Sequence, residues 1–305
     1  MSPWTQTPKE VVFVLPLPTG AKAKDVSFKL SSKAVQMSAL GQPLLSGDFF
    51  HPVRADDSIW ELEDAPDGGR RVRASFAKAT PNRVWDCCFV HEVDETVTTR
   101  CFMDVAIDGR RMGRITYGLY GKAYPRTCEN FRCLCTGERG SVRIVKNKKV
   151  PPVKLHYKGC DIFRVVPGFL CQGGDVTHHP SHSGGHSIYG AWFEDEGFKV
   201  KHKGEGDLLM ASAGVPNNNH SQFAVAMAKL TEFESKHVIF GKVLDGLNLF
   251  RIMELEGSGD GLTKRRITIV ECGELDEKGR PMASAGEETT AAAEVAAAAE
   301  QEAEE

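Results

Sequence analysis

Short runs of alternating apolar and polar residues, separated by glycine and proline turns, dominate the first 95 residues of this 305-residue chain. Alternation of this kind sends successive side chains to opposite faces of a strand. Pro66, Gly68 and Gly69 form one of the intervening turn signals. The alternating runs are Val11–Leu15, Val26–Leu30, Val35–Ala39, Ile59–Leu62 and Val72–Phe76. No helical period interrupts them, and regularly spaced short strands predict a β-sandwich.

The segment from about residue 96 to 276 keeps the strand signals and adds two helical patterns. The clearest strand patterns lie at Cys101–Ile107, Gly113–Leu119 and Arg266–Cys272. Thr127–Thr136 is typical of a helix, with Pro125 ahead of it and Thr127 as the expected N-cap. Leu247–Glu254 is typical of a second helix. Two helices among many short strands favour a closed antiparallel barrel with helical caps.

Charge is unevenly distributed along the chain. The net charge is −3, which argues against wholesale binding of nucleic acid. Residues 283–305 hold seven glutamates and no lysine or arginine, which leaves the rest of the chain at about +4. The alanine and glutamate of this segment have almost nothing to bury. Residues 277–305 are therefore expected to form a disordered, solubilising tail.

The cysteines and the N-terminal residues bear on the compartment. Nine cysteines, without any C-x-x-C pair, are typical of free thiols in a reducing cytosol. The first residues, MSPWTQTPKE, lack the basic and apolar regions of a signal peptide. The apolar run Val11–Pro18 is too short to span a bilayer and is interrupted by prolines. A cytoplasmic location without membrane contact is expected.

Six sequence blocks between Thr99 and Leu275 follow one another in the order of a known family. The blocks are FMDVAIDGRRMGRITYGLY, PRTCENFRCLCTGERG, FRVVPGFLCQGGDVT, SIYGAWFEDEGF, LLMASAGVPNNNHSQFAVAMAK and KHVIFGKVLDG. Together they resemble the cyclophilin family of peptidyl-prolyl isomerases. The resemblance implies a closed eight-stranded β-barrel capped by two helices. It also implies an enzyme that acts on X-Pro bonds of protein substrates and needs no cofactor or metal.

The chemistry of such an enzyme needs few groups. Twisting an X-Pro bond removes its amide resonance against a barrier of ~18–20 kcal/mol. An apolar pocket that grips the ring, together with a donor to the imide nitrogen, lowers this barrier. Arginine suits the donor role because it stays protonated. The resemblance assigns Arg164 as the catalytic donor, Phe169 to the proline pocket and Gln172 to the substrate backbone. It places His237 and Ala211 in the same groove.

The chain departs from the family pattern within this site. Leu170 stands where methionine is usual, which nearly conserves volume. Phe163 replaces a histidine before the arginine, and Ser212 replaces an asparagine. Ala224 replaces a phenylalanine of the pocket floor, which removes an aromatic wall worth about 1.5–3 kcal/mol of apolar contact.

The family's tryptophan–leucine pair is also missing. By ungapped count its places hold Glu232 and Phe233, and a shift of one residue puts Phe233 at the tryptophan position. Because cyclosporin depends on that tryptophan in the family, weak cyclosporin binding is expected. The altered pocket leaves three alternatives: slow catalysis, a changed preference for the residue before proline, or a binding module without turnover. The alternative for Arg164 is an ordinary surface charge at a strand end.

An insertion at Ser141–Gly159 resembles the extra loop of divergent-loop cyclophilins. Those proteins carry two cysteines that act as a thiol switch, and the resemblance points to Cys135 and Cys272 as a redox pair. Two ordinary buried thiols are the alternative. The loop-anchoring glutamate of those proteins is replaced here by His186. The basic run Lys146–Lys149 is expected to be a solvated part of the loop.

Four histidines follow the third block, at His178, His179, His182 and His186. Their spacing is loose, and zinc sites usually combine tighter spacing with cysteines or a helix. No metal site is predicted from them.

The first segment carries a second resemblance. Its quoted parts are WTQTPKEVVFVLPLP, Gly20–Val26, ADDSIWELED and the stretch Lys78–Trp85. They resemble the CS domain of the NudC type, a β-sandwich related to co-chaperones that binds proteins and performs no chemistry. The resemblance implies a chaperone or client partner. Trp4, Trp60 and Trp85 are expected to pack in or beside the core.

The predicted architecture is a CS domain at residues 1–95, a cyclophilin-like domain at 96–276 and the acidic tail at 277–305. The predicted function is a peptidyl-prolyl cis-trans isomerase and protein-folding co-chaperone, whose first domain brings the second to its clients. Two alternatives stay open. Both domains bind clients and the altered pocket only clamps proline peptides, or the second domain is an inert scaffold in an assembly.

Overall fold

The computed structural model describes residues 4–66, 68–147, 149–230, 233 and 236–282. The chain divides into two compact units, Met1–Asp94 and Glu95–Glu305. Each unit has its own sheets. No helix among these described residues is long and apolar enough to cross a membrane.

The first unit consists of two antiparallel sheets. Its strands are β1 Trp4–Gln6, β2 Glu10–Pro16, β3 Val26–Leu30, β4 Ala34–Ala39, β5 Gln42–Asp48, β6 Val53–Asp64 and β7 Arg70–Lys78. One sheet has the order β1-β2-β7-β6 and the other the order β3-β4-β5. Phe13 and Leu15 on β2 are buried, whereas Val14 between them is 40% exposed, as the alternating pattern predicts.

One cluster of buried side chains fills the space between these two sheets. Phe13 and Phe76 come from one sheet and Met37 from the other. The rings of Phe49 and Phe76 meet edge to face with centroids 5.0 Å apart. The three tryptophans belong to this packing: Trp85 is buried in it, and Trp4 and Trp60 lie half-buried against it. The predicted sandwich is confirmed.

The second unit is built on one eight-stranded antiparallel sheet. Its strands are β8 Thr99–Ile107, β9 Arg110–Leu119, β12 Arg164–Val166, β13 Leu170–Gly173, β14 Asp207–Met210, β15 Phe223–Ala226, β16 Ile239–Asp245 and β17 Ile267–Leu275. The strand order is β12-β13-β15-β14-β16-β9-β8-β17. Two short strands, β10 Ser141–Val142 and β11 Val153–Lys154, pair with each other inside the predicted insertion.

The two edges of this sheet come together through the residues just before β12. Ile162 N donates to Ile267 O at 2.9 Å, and Ile269 N donates to Cys160 O at 2.9 Å. Because β12 and β17 are opposite edges of the sheet, these bonds require the sheet to curl back on itself. The eight strands are as predicted. The junction between the edges is made by these bonds and one isolated bridge, Asp161 with Thr268, rather than by a paired strand.

Two α-helices accompany the sheet, as predicted: α1 Pro125–Thr136 and α2 Leu247–Glu256. The predicted N-cap of α1 was wrong. The helix begins at Pro125 with Tyr124 as the N-cap residue, so Thr127 lies inside the first turn. The N–H groups of a first helical turn have no acceptor within the helix. Here the Glu196 carboxylate accepts two of them, from Arg126 N at 3.0 Å and from Thr127 N at 2.6 Å.

The residues after β17 turn back onto it. Asp276 N donates to Arg280 O at 2.9 Å, and Met282 N donates to Glu274 O at 2.9 Å. Residues 277–282, which the sequence assigned to the tail, thus form a hydrogen-bonded turn. The rest of the predicted tail, residues 283–305, lies outside the described residues.

Candidate functional site

The β12–β13 hairpin positions the predicted donor. Pro167 and Gly168 occupy its turn, Gly168 has φ +69°, and Phe169 N donates to Val166 O at 3.0 Å. Proline followed by a residue with positive φ is the signature of a type II turn. The register of the hairpin sets Arg164 opposite Gln172. Opposite residues share a face, so both side chains leave the same side of the sheet, while Val165 and Cys171 are buried on the other.

A groove of about 570 Å³ opens on this face. It is lined by Phe163, Arg164, Phe169, Leu170, Gln172, Leu209, Ala211, Ala213, Gly214, Ala224, Phe233, Lys236 and His237. Most of the lining is apolar, and the exposed charges of Arg164 and Lys236 lie on it. A mostly apolar cleft with few polar groups is the usual form of a site for a small apolar group.

Arg164 is held by a chain of amide side chains. Its Nη1 donates to Gln172 Oε1 at 3.2 Å, and Gln172 Nε2 donates to Gln222 Oε1 at 2.8 Å. Gln222 is buried, and its Nε2 donates to the carbonyl oxygens of His182 at 2.7 Å and Gly184 at 2.6 Å. Each amide therefore has a fixed orientation. These amides hold the guanidinium at one side of the groove.

An aromatic wall borders the apolar part of the groove. The rings of Phe169 and Phe233 lie with centroids 5.3 Å apart, and Phe233 meets His237 edge to face at 5.4 Å. Phe233 is 5% exposed, which leaves only part of its ring at the groove surface. Ala224 lies in the same lining. The aromatic surface that the sequence lacks at position 224 is thus present at position 233.

His237 is neutral at physiological pH. Burial lowers its pKa from the ordinary value of 6.5, and the hydrogen bond to the Met210 carbonyl acts in the opposite direction. The carbonyl oxygen of Met210 lies 3.0 Å from His237 Nδ1 and only accepts, so Nδ1 carries the proton. Ser212 Oγ lies 3.4 Å from the same nitrogen. The imidazole is therefore an uncharged ring whose Nε2 is an acceptor.

A stacked pair of rings lies beside Arg164, at the lining residue Phe163. The rings of Phe163 and His182 are parallel within 1° and 4.4 Å apart. Because Gln222 binds the carbonyl of His182, the same residue that orients Gln172 also holds the stacking partner of Phe163. The substitution of Phe163 for the family's histidine therefore places a flat apolar surface beside Arg164.

The structure brings together nearly every residue that the sequence assigned to the site. Arg164, Phe163, Phe169, Leu170, Gln172, Ala211, Ala224, Phe233 and His237 all line the groove. Ser212 does not line it and lies behind His237. Glu232, the other residue at the tryptophan–leucine position, lies outside the described residues.

Four lining residues were missed: Leu209, Ala213, Gly214 and Lys236. Leu209 has a readable signal, because it lies two residues before Ala211 and so shares its face along an extended chain. Its register opposite Ala224 places it at the groove floor.

The predicted redox pair consists of two buried thiols. Cys135 and Cys272 are both free and buried, and burial raises the pKa of each well above its ordinary value. The thiol that hydrogen-bonds Cys135 is Cys101 on β8, which the sequence did not single out. A thiol that keeps its proton is a poor nucleophile, so this environment is that of a structural cysteine.

One group of possible metal ligands exists among the described residues, formed by Glu129, Cys133 and Glu138. Arg132 already occupies it, donating to Glu129 Oε2 at 2.9 Å and to Glu138 Oε1 at 2.7 Å. Its guanidinium holds the pKa of Glu138 down at about 2, and burial raises the pKa of Cys133 to about 12. This is the chemistry of an ion-pair network.

Three of the four histidines of the sequence are engaged separately. His179 Nδ1 lies 2.9 Å from Ser181 Oγ, and His186 Nδ1 lies 2.7 Å from Ser187 O. His182 stacks on Phe163. Within the part of the chain that the structure describes, their ring nitrogens form no group of three ligands.

Comparison with protein families agrees with this geometry. The model of the CS domain matches residues 2–78, which lie in the first unit. The model described as cyclophilin type peptidyl-prolyl cis-trans isomerase/CLD matches residues 102–274, more than half of the chain and the whole of the groove. With its eight-stranded sheet, its two helices and the Arg164 groove on its second unit, the chain belongs to the cyclophilin-type peptidyl-prolyl cis-trans isomerase family.

Proposed function

We propose that the second unit catalyses cis-trans isomerisation of X-Pro bonds in proteins, with a proline pocket in which Phe233 supplies the aromatic wall. Family membership supports an isomerase or co-chaperone kind of function. The observation that carries the proposal is the donor arrangement. Arg164 Nη1 is bound to Gln172 Oε1 at the edge of an apolar groove, so a protonated donor lies beside a place for a proline ring.

Catalysis in this arrangement comes from stronger binding of the twisted bond. The proline ring enters the groove against Phe169, Phe233 and Leu209, where apolar surface leaves water. As the bond twists, the imide nitrogen gains electron density and accepts a hydrogen bond from Arg164. In the planar amide the lone pair of the imide nitrogen is delocalised. The hydrogen bond from Arg164 to this nitrogen therefore becomes strong only at the transition state. No titrating group takes part in the step.

Exchange NMR on a panel of X-Pro peptides tests the proposal. The chain is expected to accelerate cis-trans exchange, and Arg164→Ala to lower the catalysed rate by about 100-fold or more, as for removal of one transition-state donor. Arg110→Ala, which removes an exposed arginine at the start of β9, serves as the matched control and is expected to keep the wild-type rate.

The same experiment separates the proposal from a binding-only function. Peptide shifts that depend on proline, without faster exchange, would select a proline-peptide clamp. The absence of both shifts and exchange, from folded protein, would leave only a scaffold role. The placement of Phe233 in the lining favours turnover, because the groove retains an aromatic contact for the ring.

The first unit is proposed to act as a NudC-type CS domain that recruits a chaperone or client in the cytoplasm. Its protein-binding role supplies no chemistry, and joining it to the isomerase raises the local concentration of catalyst to about the millimolar range. The full chain should then speed proline-limited refolding of a bound client more than residues 95–282 do. The two proteins should act equally on short peptides.

Weak cyclosporin binding is part of the proposal, since Phe233 lacks the indole of the family's tryptophan. Isothermal titration with cyclosporin tests it. Tight binding would contradict this expectation without affecting the proposed catalysis.

A further inference from the structure

Leu262 lies in the same row of side chains as Arg164 and Gln172, on the groove side of the sheet. Arg164 is opposite Gln172 on one side and forms an isolated antiparallel bridge with Leu262 on the other. Gln172 is in turn opposite Ala224, and Ala224 is opposite Leu209. Because opposite residues of antiparallel strands share a face, these side chains form one row across the groove side of the sheet.

Leu262 is held in place by its own segment, residues 258–262. Val165 N donates to Gly261 O at 2.9 Å, and Ser258 N donates to Val165 O at 3.2 Å. Ser258 Oγ donates to Leu262 O at 2.6 Å, and Leu262 N donates to Asp260 Oδ1 at 3.2 Å. The segment is thus bonded to Val165 on β12, and Leu262 is bonded to Ser258 and Asp260 within the segment. Together these bonds hold the backbone of Leu262 beside β12.

The contact between this segment and the donor is close. A Cβ at Gly261 would lie 2.7 Å from Arg164 Cγ and 3.2 Å from its Nε, and Gly261 has φ +89°. The stem of Arg164 therefore rests directly on the glycine that precedes Leu262. The position of the guanidinium and the position of Leu262 are set by one segment.

Leu262 is nevertheless 69% exposed. A single exposed leucine is ordinary on a protein surface. Leu255 at the end of α2 is 71% exposed and has no place in the row. Leu262 differs in that its backbone is held by hydrogen bonds and its exposed side chain lies on the groove face. Its neighbour in the row is Arg164, the residue proposed to act on the X-Pro bond.

We propose that Leu262 is a specificity-determining residue that contacts an apolar side chain of the substrate a few positions from the proline. The inference rests on the proposed isomerase function. Three strand spacings of about 4.8 Å separate the strand of Ala224 from Leu262 in the row. A peptide extends by about 3.3–3.6 Å per residue. The side chain that reaches Leu262 thus lies within about four residues of the proline.

A peptide series tests the inference on the full chain. Each peptide carries one X-Pro bond and either leucine or asparagine at one of the four positions on either side. Exchange NMR is expected to show one position at which leucine raises the catalysed rate about tenfold, equivalent to about 1.4 kcal/mol. Leu262→Ala should abolish that preference while still accelerating the asparagine peptides. Leu255→Ala, the matched control, should keep the preference.

The outcomes distinguish this inference from the proposed function. If the wild-type chain accelerates exchange but Leu262→Ala keeps the same preference, the role of Leu262 is refuted and the isomerase stands. An active wild-type chain without any leucine preference refutes it equally. If the wild-type chain accelerates no peptide, the proposed function fails and the inference fails with it.

Discussion

Phe233 packs against Phe169 with the ring centroids 5.3 Å apart and the ring planes inclined by 50°. The two residues come from segments more than sixty positions apart, and Ala224 lies with them in the groove lining. With alanine at position 224, a proline ring in this groove would meet aromatic surface from Phe169 and Phe233.

Phe233→Leu is expected to weaken the groove more than the fold. Aromatic pairs contribute about 0.5–1.5 kcal/mol beyond their buried area, so kcat/KM for X-Pro peptides should fall by about 2- to 13-fold. Phe250→Leu, at an equally buried phenylalanine on α2, is the matched control. It should lower the unfolding temperature and leave kcat/KM of the folded protein unchanged. Equal kcat/KM for wild type and Phe233→Leu would show that the ring does not contact the substrate.

Gly261→Ala is expected to displace Arg164. The substitution adds a Cβ that would lie 2.7 Å from Arg164 Cγ, at a φ of +89° that costs a non-glycine residue about 1–2 kcal/mol. The catalysed exchange rate should therefore fall even when it is calculated per folded molecule, because the added Cβ moves Arg164. Gly259→Ala provides the control in the same segment, since a Cβ there meets nothing within 4 Å. A Gly261→Ala protein that is less stable yet fully active would contradict the contact.

The pKa of His237 should be measurable below 6.5 by NMR titration of its ring proton, because burial lowers it. The neutral ring then persists as pH falls to 6.5, so protonation of His237 should not change isomerase activity between pH 8 and pH 6.5. The same protein unfolded in urea is the reference, in which the ring should titrate at its ordinary value. A folded-state value above the urea value would overturn the assignment.

The same shift has a consequence for stability. Burial also lowers the pKa of His156 and His220, so the unfolded chain binds more protons than the folded one between the lowered values and 6.5. The free energy of unfolding should therefore fall as pH decreases through that window. Urea unfolding at a series of pH values measures it.

The thiols are expected to resist oxidation in the folded protein. All nine cysteines are buried thiols outside any disulfide, and burial keeps Cys135 and Cys272 protonated. A thiol reagent should label essentially none of them in the native state and all nine after denaturation. Mild peroxide should leave the isomerase rate unchanged. Two rapidly labelled thiols, with a rate that responds to peroxide, would support the thiol switch instead.

Sequence reasoning located the parts of the site that depend on local structure. The Pro-Gly dipeptide at residues 167 and 168 predicts a turn from the sequence alone. The hairpin that this turn closes pairs Arg164 with Gln172. The two helices and the alternating strands of both units were likewise readable. The N-cap at Thr127 was misassigned because the group that satisfies those amides, Glu196, lies some seventy residues away.

The rest of the site depends on contacts that no local pattern carries. Counting along the chain left Phe233 in one of two family positions, and its wall role follows from packing on Phe169. Cys101 on β8 hydrogen-bonds Cys135 because α1 packs near that strand, and the distance between the two cysteines along the sequence does not predict this contact. Leu262 gained its place beside Arg164 from an isolated bridge between segments nearly a hundred residues apart.

Both edges of the eight-stranded sheet carry backbone hydrogen bonds from other segments. Ile267 and Ile269 on β17 are bonded to residues 159–162, and Val165 on β12 is bonded to residues 258–261. Exposed strand edges are templates on which other chains add strands and aggregate. Under the proposed co-chaperone function, the protein meets many incompletely folded chains. At these paired positions the backbone groups are already bonded, so such a chain would bind through the side-chain groove and could leave without having added a strand to the sheet there.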